Sequence, residues 1–397
     1  MDRLVAGGFL RPGTALKSLR NGRVRWNRLP VAINLVLPGV LLEPLAWLQQ
    51  LLLAHRCRSL RLPDNPVVIV GHWRSGTTFL HQLLAADPGV ATARNSLTVA
   101  PQVAVLLKPV LIPLLQRLMT RTRPIDAVPW SVQDPQEDEI GLVRLTPDTN
   151  MAGVAFPWHY LHHFRRCVLS STPDFERKLV HFTRLTWLHD GTDKHTLLIK
   201  NPAHTARVAL LLRLFPRARF VFLKREPIDT IRSLVQVKQS LGNLVGLQAP
   251  LDDLTQVEET AEAYRCLLNA FDAARPLIPP GQLLEVPYDA LVTDPFTTVQ
   301  WIYSELNLPG WDQARDPIAR RVAAASDYRA RPVTLAPLAE ERLQVLTLSL
   351  DGGDVTAVRY KHDLPNYGVF DEVRVFDAGP MPGPMDFRGV RIGVPIC

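Results

Sequence analysis

The segment PVVIVGHWRSGTTFL, from Pro66 to Leu80, constrains this chain most. A β-branched run ends at Gly71, a short loop closed by Gly76 follows, and a helix-forming stretch then begins. A strand that enters a helix through such a loop aims backbone N–H groups and a helix N-terminus at one point, which makes an anion cradle. Gly71 and Gly76 let the backbone turn and approach a phosphate closely. Ser75, Thr77 and Thr78 add hydroxyl donors. The spacing is close to GxxxxGK[ST], but Thr77 stands where that motif has its lysine, and the cation lies inside the loop as Arg74. Nucleoside triphosphatases use that lysine on the β/γ-phosphates, so triphosphate chemistry is disfavoured. A glycine-rich structural turn without a ligand is the plain alternative.

Similar short apolar runs recur at Leu197–Ile199, Phe220–Leu223 and Leu283–Val286. Helix patterns lie between them, at Thr77–Ala86, Thr205–Leu214, Asp229–Val237 and Phe296–Leu306, with a turn at Tyr288–Val292. Continuous apolar strands alternating with helices predict an α/β fold, a P-loop-like parallel sheet flanked by helices. Ligands then sit at the carboxyl ends of the strands, which is where the distinctive motifs fall. Val103–Met119 contains Pro109 and Pro113 and reads as a broken helix. From about Leu343, alternation in LQVLTLSL, VTAVRY and EVRVF predicts a small β-rich C-terminal appendage. The expected division is 1–64 helical, 65–340 the α/β domain and 341–397 the extension.

Hydrophobic residues make up 47% and charged residues 21%, enough for a packed core. The net charge of +7 suits an anionic ligand, a nucleic acid or an anionic membrane surface without choosing among them. The basic residues are dispersed, with no basic–aromatic array, which argues against nucleic acid. Cys57, Cys167, Cys266 and Cys397 form no CxxC pair, and no signal-peptide order opens the sequence. The expectation is a cytoplasmic protein without a structural metal. Val31–Leu53 is long enough to span a bilayer but carries Glu43, Pro38 and Pro44, and it follows Arg20, Arg23, Arg25 and Arg28. It reads either as a helix covering an apolar pocket or as one lying on the cytoplasmic face of a membrane.

A second anion site is readable in FVFLKREPIDTIRSL, Phe220 to Leu234. A strand ends in Lys224-Arg225, and Ser233 lies two turns into the next helix. Arginine at a strand end offers a rigid fork to phosphate. Two anion sites at different strand ends suit a nucleotide carrying phosphates at both its 5′ and 3′ positions.

The loop Arg74-Ser75-Gly76-Thr77-Thr78 resembles the 5′-phosphosulfate loop of sulfotransferases that use 3′-phosphoadenylyl sulfate (PAPS), and GHWRSGTTFLH resembles a branch found largely in bacteria. The resemblance covers about 65–308. It implies that residues 74–78 hold the 5′-phosphosulfate and that Arg225 and Ser233 hold the 3′-phosphate, with Arg232 a bystander. EVPYDALVTDP resembles the family's YEDL segment and implies that Tyr288 lies near the adenine, although Asp289 replaces the family's glutamate. The implied co-substrate is PAPS, with no metal.

Sulfuryl transfer needs an in-line donor, charge stabilisation at the bridging oxygen and removal of the acceptor proton. Lys200 ends the strand TLLIK, in a position similar to a lysine of the cytosolic relatives. Their histidine follows closely; here Asn201-Pro202-Ala203 intervene and His204 comes four residues later. His204 is the first candidate base, with a helix cap as the alternative. Glu137 and Glu139, in a run similar to the PxEDE segment of the resembling branch, are the second; a solvated helix start is their plain reading. His159, His162 and His163 have the spacing of a helix face that could line an acceptor pocket, hold a metal or simply pack. The apolar segments favour a small, lipid-like acceptor alcohol and allow peripheral membrane contact. Two other readings stay open: a P-loop phosphotransferase, and a membrane-peripheral protein that binds PAPS or its product without turnover.

Overall fold

The computed structural model describes residues 8–120, 122, 130–191, 193–325 and 333–347, together with four short strands between 366 and 392. Five parallel strands form the central sheet: β1 (Val67–Gly71), β2 (Val90–Thr92), β3 (Thr196–Lys200), β4 (Arg219–Lys224) and β5 (Leu283–Pro287). Their order is β2-β3-β1-β4-β5. Both faces are apolar, so both must be covered. Val68, Val70, Leu197, Ile199, Phe220 and Phe222 face one core, whereas Val67, Ile69, Leu198, Val221 and Leu223 face the other. The first core includes Phe182 and Phe271, the latter ring stacked 4.4 Å from Phe222. The second includes Leu80, Leu83, Ile302 and Tyr303.

Strand β1 lies between β3 and β4, with Ile69 beside Lys200 and Gly71 beside Leu223. The chain therefore leaves β1 at the point where strand order reverses, the crevice in which open α/β sheets take ligands. Thr205 pins that exit. Its hydroxyl accepts from Gly71 N at 2.8 Å and donates to Gly71 O at 3.0 Å, both fully buried.

The helices that bear on function are α1 (Leu29–Ser59), α2 (Thr77–Leu84), α3 (Lys108–Leu118), α4 (Asp138–Leu142), α5 (Pro227–Val245) and α6 (Tyr288–Thr293). The helix expected to break at Pro109 and Pro113 is interrupted instead at 105–107: Pro101–Ala104 is one helix and α3 another, with Pro109 in its first turn and Pro113 inside it. Gln49 of α1 fixes it, donating to Pro101 O and accepting from Val105 N and Leu106 N.

Three local readings are revised. The three-residue strand β2 directly follows the breaker Asp87-Pro88-Gly89. The expected turn at Tyr288–Val292 is a short helix. The alternation at 343–347 is helical, because Pro337–Thr347 folds as a helix whose Ala339 and Leu343 pack on Ile231, Val235 and Val257. Beyond it, Asn366–Tyr367 pairs antiparallel with Phe370–Asp371, and Met385–Phe387 with Val390–Ile392. VTAVRY, and EVRVF apart from its neighbour Asp371, lie outside the described residues.

Replacing Thr205 by valine keeps the shape but leaves Gly71 N and Gly71 O unpartnered. The expected loss is about 1–3 kcal/mol of unfolding free energy, measured by urea denaturation. Unchanged stability would contradict the role of this hydroxyl.

Candidate active site

The phosphate-loop backbone is shaped for close approach. Arg74 has φ 71° and Gly76 φ 90°, both in the left-handed region. At Gly76 a Cβ would sit 2.7 Å from the Tyr288 ring, so only glycine lets the loop meet that ring. Ser75 is buried and donates its hydroxyl to His72 O at 2.7 Å, closing the turn from within. Thr77 opens α2, and the loop thus delivers the helix N-terminus to the carboxyl edge of the sheet.

The two anion motifs, 150 residues apart in sequence, are one cluster in space. Arg74 Nε donates to Ser233 Oγ at 2.9 Å. Arg225 donates from one terminal nitrogen to Arg74 O at 2.7 Å and lays its guanidinium 4.3 Å from the centre of the Tyr288 ring. Its Nε–H is buried and has no hydrogen-bond partner among the described residues. Buried donors are normally satisfied, so this one points to a ligand oxygen. A cleft of about 170 Å³ opens beside it, lined by Lys224, Arg225, Glu226, Asp229, Pro287, Tyr288 and Asp289. The carboxylates on this wall are partly neutralised: Asp229 pairs with Arg232 at 3.0 Å, and Arg232 also pairs with Glu340. Arg232 is thereby turned toward the 337–347 helix.

On the other side of the loop, the run 137–139 interlocks with 200–207. Lys200 Nζ lies 2.7 Å from Glu137 Oε2 and 3.4 Å from Thr78 Oγ1. Asp138 meets His204 at 3.4 Å. Glu139 accepts from Asn201 Nδ2 at 2.7 Å and from Asn150 N, and it lies 3.6 Å from Arg207. The candidate bases therefore have unequal access. The His204 side chain is 0% exposed and that of Glu139 2%, whereas Glu137 is 19% exposed. His204 has Asp138 on one ring nitrogen and Arg207 on the other. Both nitrogens are engaged inside the protein, so the ring offers none to an acceptor.

Burial, reinforced by the Glu137 charge, pushes Asp138 up to about 8. Burial and then the Arg207 charge push His204 down to about 3. Near neutrality both partners are therefore uncharged, and their contact is a hydrogen bond rather than an ion pair. Arg207 donating to Nδ1 selects the tautomer that carries its proton on Nε2, facing Asp138.

Of the three histidines only His163 is buried; His159 and His162 are exposed. His163 is buried beside Phe156, and burial lowers its pKa to about 4. Among the described residues no group of three or more histidine, cysteine, aspartate or glutamate side chains is placed to hold a metal ion. Two contributors were not singled out from sequence. Thr205 carries no distinguishing signal, and Asp138 sits unmarked between two better candidates.

A carboxyl with a raised folded pKa favours the folded state only while protonated. The contribution of Asp138 to stability therefore falls as pH rises from its ordinary value of 3.8 to about 8, then levels off. Asp138→Asn keeps a neutral group there. The wild-type urea midpoint should drop relative to that of D138N between roughly pH 4 and pH 8; a constant difference would contradict a neutral Asp138.

A sequence model described as the Sulfotransferase family matches residues 66–313. The chain is 26% identical over 292 residues to the Omega-hydroxy-beta-dihydromenaquinone-9 sulfotransferase Stf3 of Mycobacterium bovis, covering 72% of this chain and 74% of that protein. The Stf3 of Mycobacterium tuberculosis gives the same figures. In fold, the chain is similar to sulfotransferase STF9 from Mycobacterium avium, with TM-score 0.60 and 16% identity over 77% of this chain and 81% of that one. It is also similar to STF1 from Mycobacterium tuberculosis, with TM-score 0.58 and 18% identity over 84% and 90%. The phosphate loop, the five-stranded parallel sheet and the matched span agree, and the chain belongs to the sulfotransferase family.

Proposed function

We propose that this sulfotransferase moves the sulfuryl group of PAPS to the hydroxyl of an apolar, lipid-like alcohol. The observation that carries the donor assignment is the convergence of Arg74, Ser233, Arg225 and Tyr288 on one cleft. The 5′-phosphosulfate is assigned to the loop 74–78 and the N-terminus of α2. The 3′-phosphate is assigned to Arg225 and Ser233, where the partnerless Nε–H gains an acceptor. Tyr288, already covered on one face by Arg225, supports the adenine.

The acceptor proton is assigned to Glu137 rather than to His204 or Glu139, because Glu137 alone of the three reaches solvent beside the loop. In the proposed step the acceptor oxygen gives its proton to Glu137 and bonds to sulfur. The bond from sulfur to the bridging phosphate oxygen breaks, and adenosine 3′,5′-bisphosphate leaves. Lys200, beside both Glu137 and Thr78, stabilises the charge that gathers on the bridging oxygen. Protonated Glu137 then returns its proton to solvent.

For the acceptor class, the name of the mycobacterial relatives denotes a hydroxylated menaquinone derivative. Here Met151, Val154 and Phe156 follow Asn150, which bonds Glu139, and pack with Leu35 and Val245. These side chains are buried core, so the assignment of a long isoprenoid or similar alcohol rests on those relatives. Cys57, Cys167 and Cys266 are free thiols, in keeping with a reducing, cytoplasmic setting. The phosphotransferase alternative has no cation at the Walker lysine position, because Thr77 occupies it and the loop's Arg74 turns to Ser233.

Arg74→Ala and Arg225→Ala are each expected to weaken PAPS binding by about tenfold or more; unchanged affinity in folded variants would overturn the donor site. Glu137→Gln should lower turnover by about 10²-fold or more while PAPS affinity is retained. Folded His204→Asn should lose stability but keep most of its turnover per molecule. The reverse pattern would return the base to His204. Turnover should be the same in EDTA as with magnesium, and abolition by EDTA with rescue by magnesium would favour phosphotransfer.

A further inference from the structure

Helix α1 breaks the rule that a helix on a protein surface turns a polar face to water. Val31, Leu35, Gly39, Ala46 and Gln49 face the domain. The opposite face presents Ile33, Leu37, Leu41, Trp47, Leu48 and Leu51, with Leu41 70%, Trp47 64% and Leu51 74% exposed. Helix α3 packs beside it through Leu115, which shares a core cluster with Ala46, and adds exposed Val110 and Leu114. A continuous apolar surface of this extent marks an interaction site.

The charges around it are of one sign. Between residues 8 and 63 the only acid is Glu43, and Arg11 pairs with it at 2.5 Å. Exposed Arg20, Arg23 and Arg25 lie at the N-terminal end of α1, and exposed Arg56, Arg58 and Arg61 at its C-terminal end. An apolar stripe between two basic ends complements a bilayer whose surface is anionic, with hydrocarbon under the stripe and headgroups at the ends. A second copy of the chain would have to set these arginines against one another.

The helix is long and apolar enough to cross a membrane by length and composition. Its buried face is nevertheless tied to the domain. Gln49 makes three hydrogen bonds to residues 101–106, and Leu35 O accepts from Leu10 N. Crossing would strip these bonds, so the helix lies along the surface instead.

We infer that the apolar face of α1 and α3 docks this protein flat on an anionic lipid bilayer. The inference stands on this surface and not on the proposed reaction, and its test reads lipid binding rather than turnover. Full-length protein is sedimented with vesicles of phosphatidylcholine alone or of an equal mixture of phosphatidylcholine and phosphatidylglycerol. Wild type should bind the mixed vesicles at least about tenfold more strongly. Leu41→Glu combined with Leu51→Glu should lose about tenfold or more of that binding. Arg23→Glu combined with Arg58→Glu should lose the preference for anionic lipid. Both variants change exposed side chains, so their urea midpoints should match wild type, which separates lost docking from lost folding. Wild type remaining in the supernatant with both vesicle types would overturn the inference, as would undiminished binding by L41E/L51E. A lipid-free dimer that L41E/L51E converts to monomers would assign the face to a second copy and overturn it equally.

Discussion

The site depends on the interlock between residues 137–139 and 200–207. Each member of the acidic run meets a different partner: Glu137 with Lys200, Asp138 with His204, Glu139 with Asn201 and Arg207. The partners issue from the carboxyl end of β3, beside β1, so the same contacts fix the wall next to the phosphate loop. Thr205, within this segment, also holds Gly71, where the loop leaves its strand. Burying charge is costly unless it is paired or neutralised. Here the buried pair Asp138 and His204 is neutralised, whereas Glu139 is paired with Arg207 at similar depth and Lys200 with Glu137 at the more accessible position. In the proposed reaction, burial thereby divides structural from chemical roles among residues adjacent in sequence.

On the opposite side of the loop the design is a cross-brace. Arg74 reaches Ser233, and Arg225 reaches back to the carbonyl of Arg74. Each of the two motifs supplies a group that positions the other. A nucleotide with phosphates at both positions would meet donors whose geometry is already set, which limits the ordering cost of binding. Arg225 is further held by the Tyr288 face and so keeps little freedom to lose.

Much of this was legible in the sequence, for definite reasons. Strands β1, β3 and β4 carry continuous apolar runs, β5 is apolar apart from Glu285, and the loop 71–78 has few conformations open to it. The family resemblance named Arg225 and Ser233 together; in the structure each bonds Arg74, Arg225 its carbonyl and Ser233 its Nε. The roles of 137–139 and 204 were not legible, because they follow from burial: His204 and Glu139 carry base chemistry in their side chains but are enclosed by Asp138, Arg207 and Asn201. Strand β2 is three residues long, too short for a period. At 343–347, Leu343 and Leu346 fit a helix spacing as well as an alternation, and the apolar face of α5 decides between them. The all-round apolarity of α1 was evident, but which face meets the domain required the fold.

In the proposed function, one cleft recognises two separate phosphate positions of a single nucleotide. Calorimetric titration with adenosine 3′,5′-bisphosphate, with AMP and ATP as comparators, tests it most directly. The bisphosphate is expected to bind far more tightly than either comparator, because only it would engage the loop 74–78 together with Arg225 and Ser233. Equal affinity for AMP, a preference for ATP, or no binding of the bisphosphate by folded protein would contradict it.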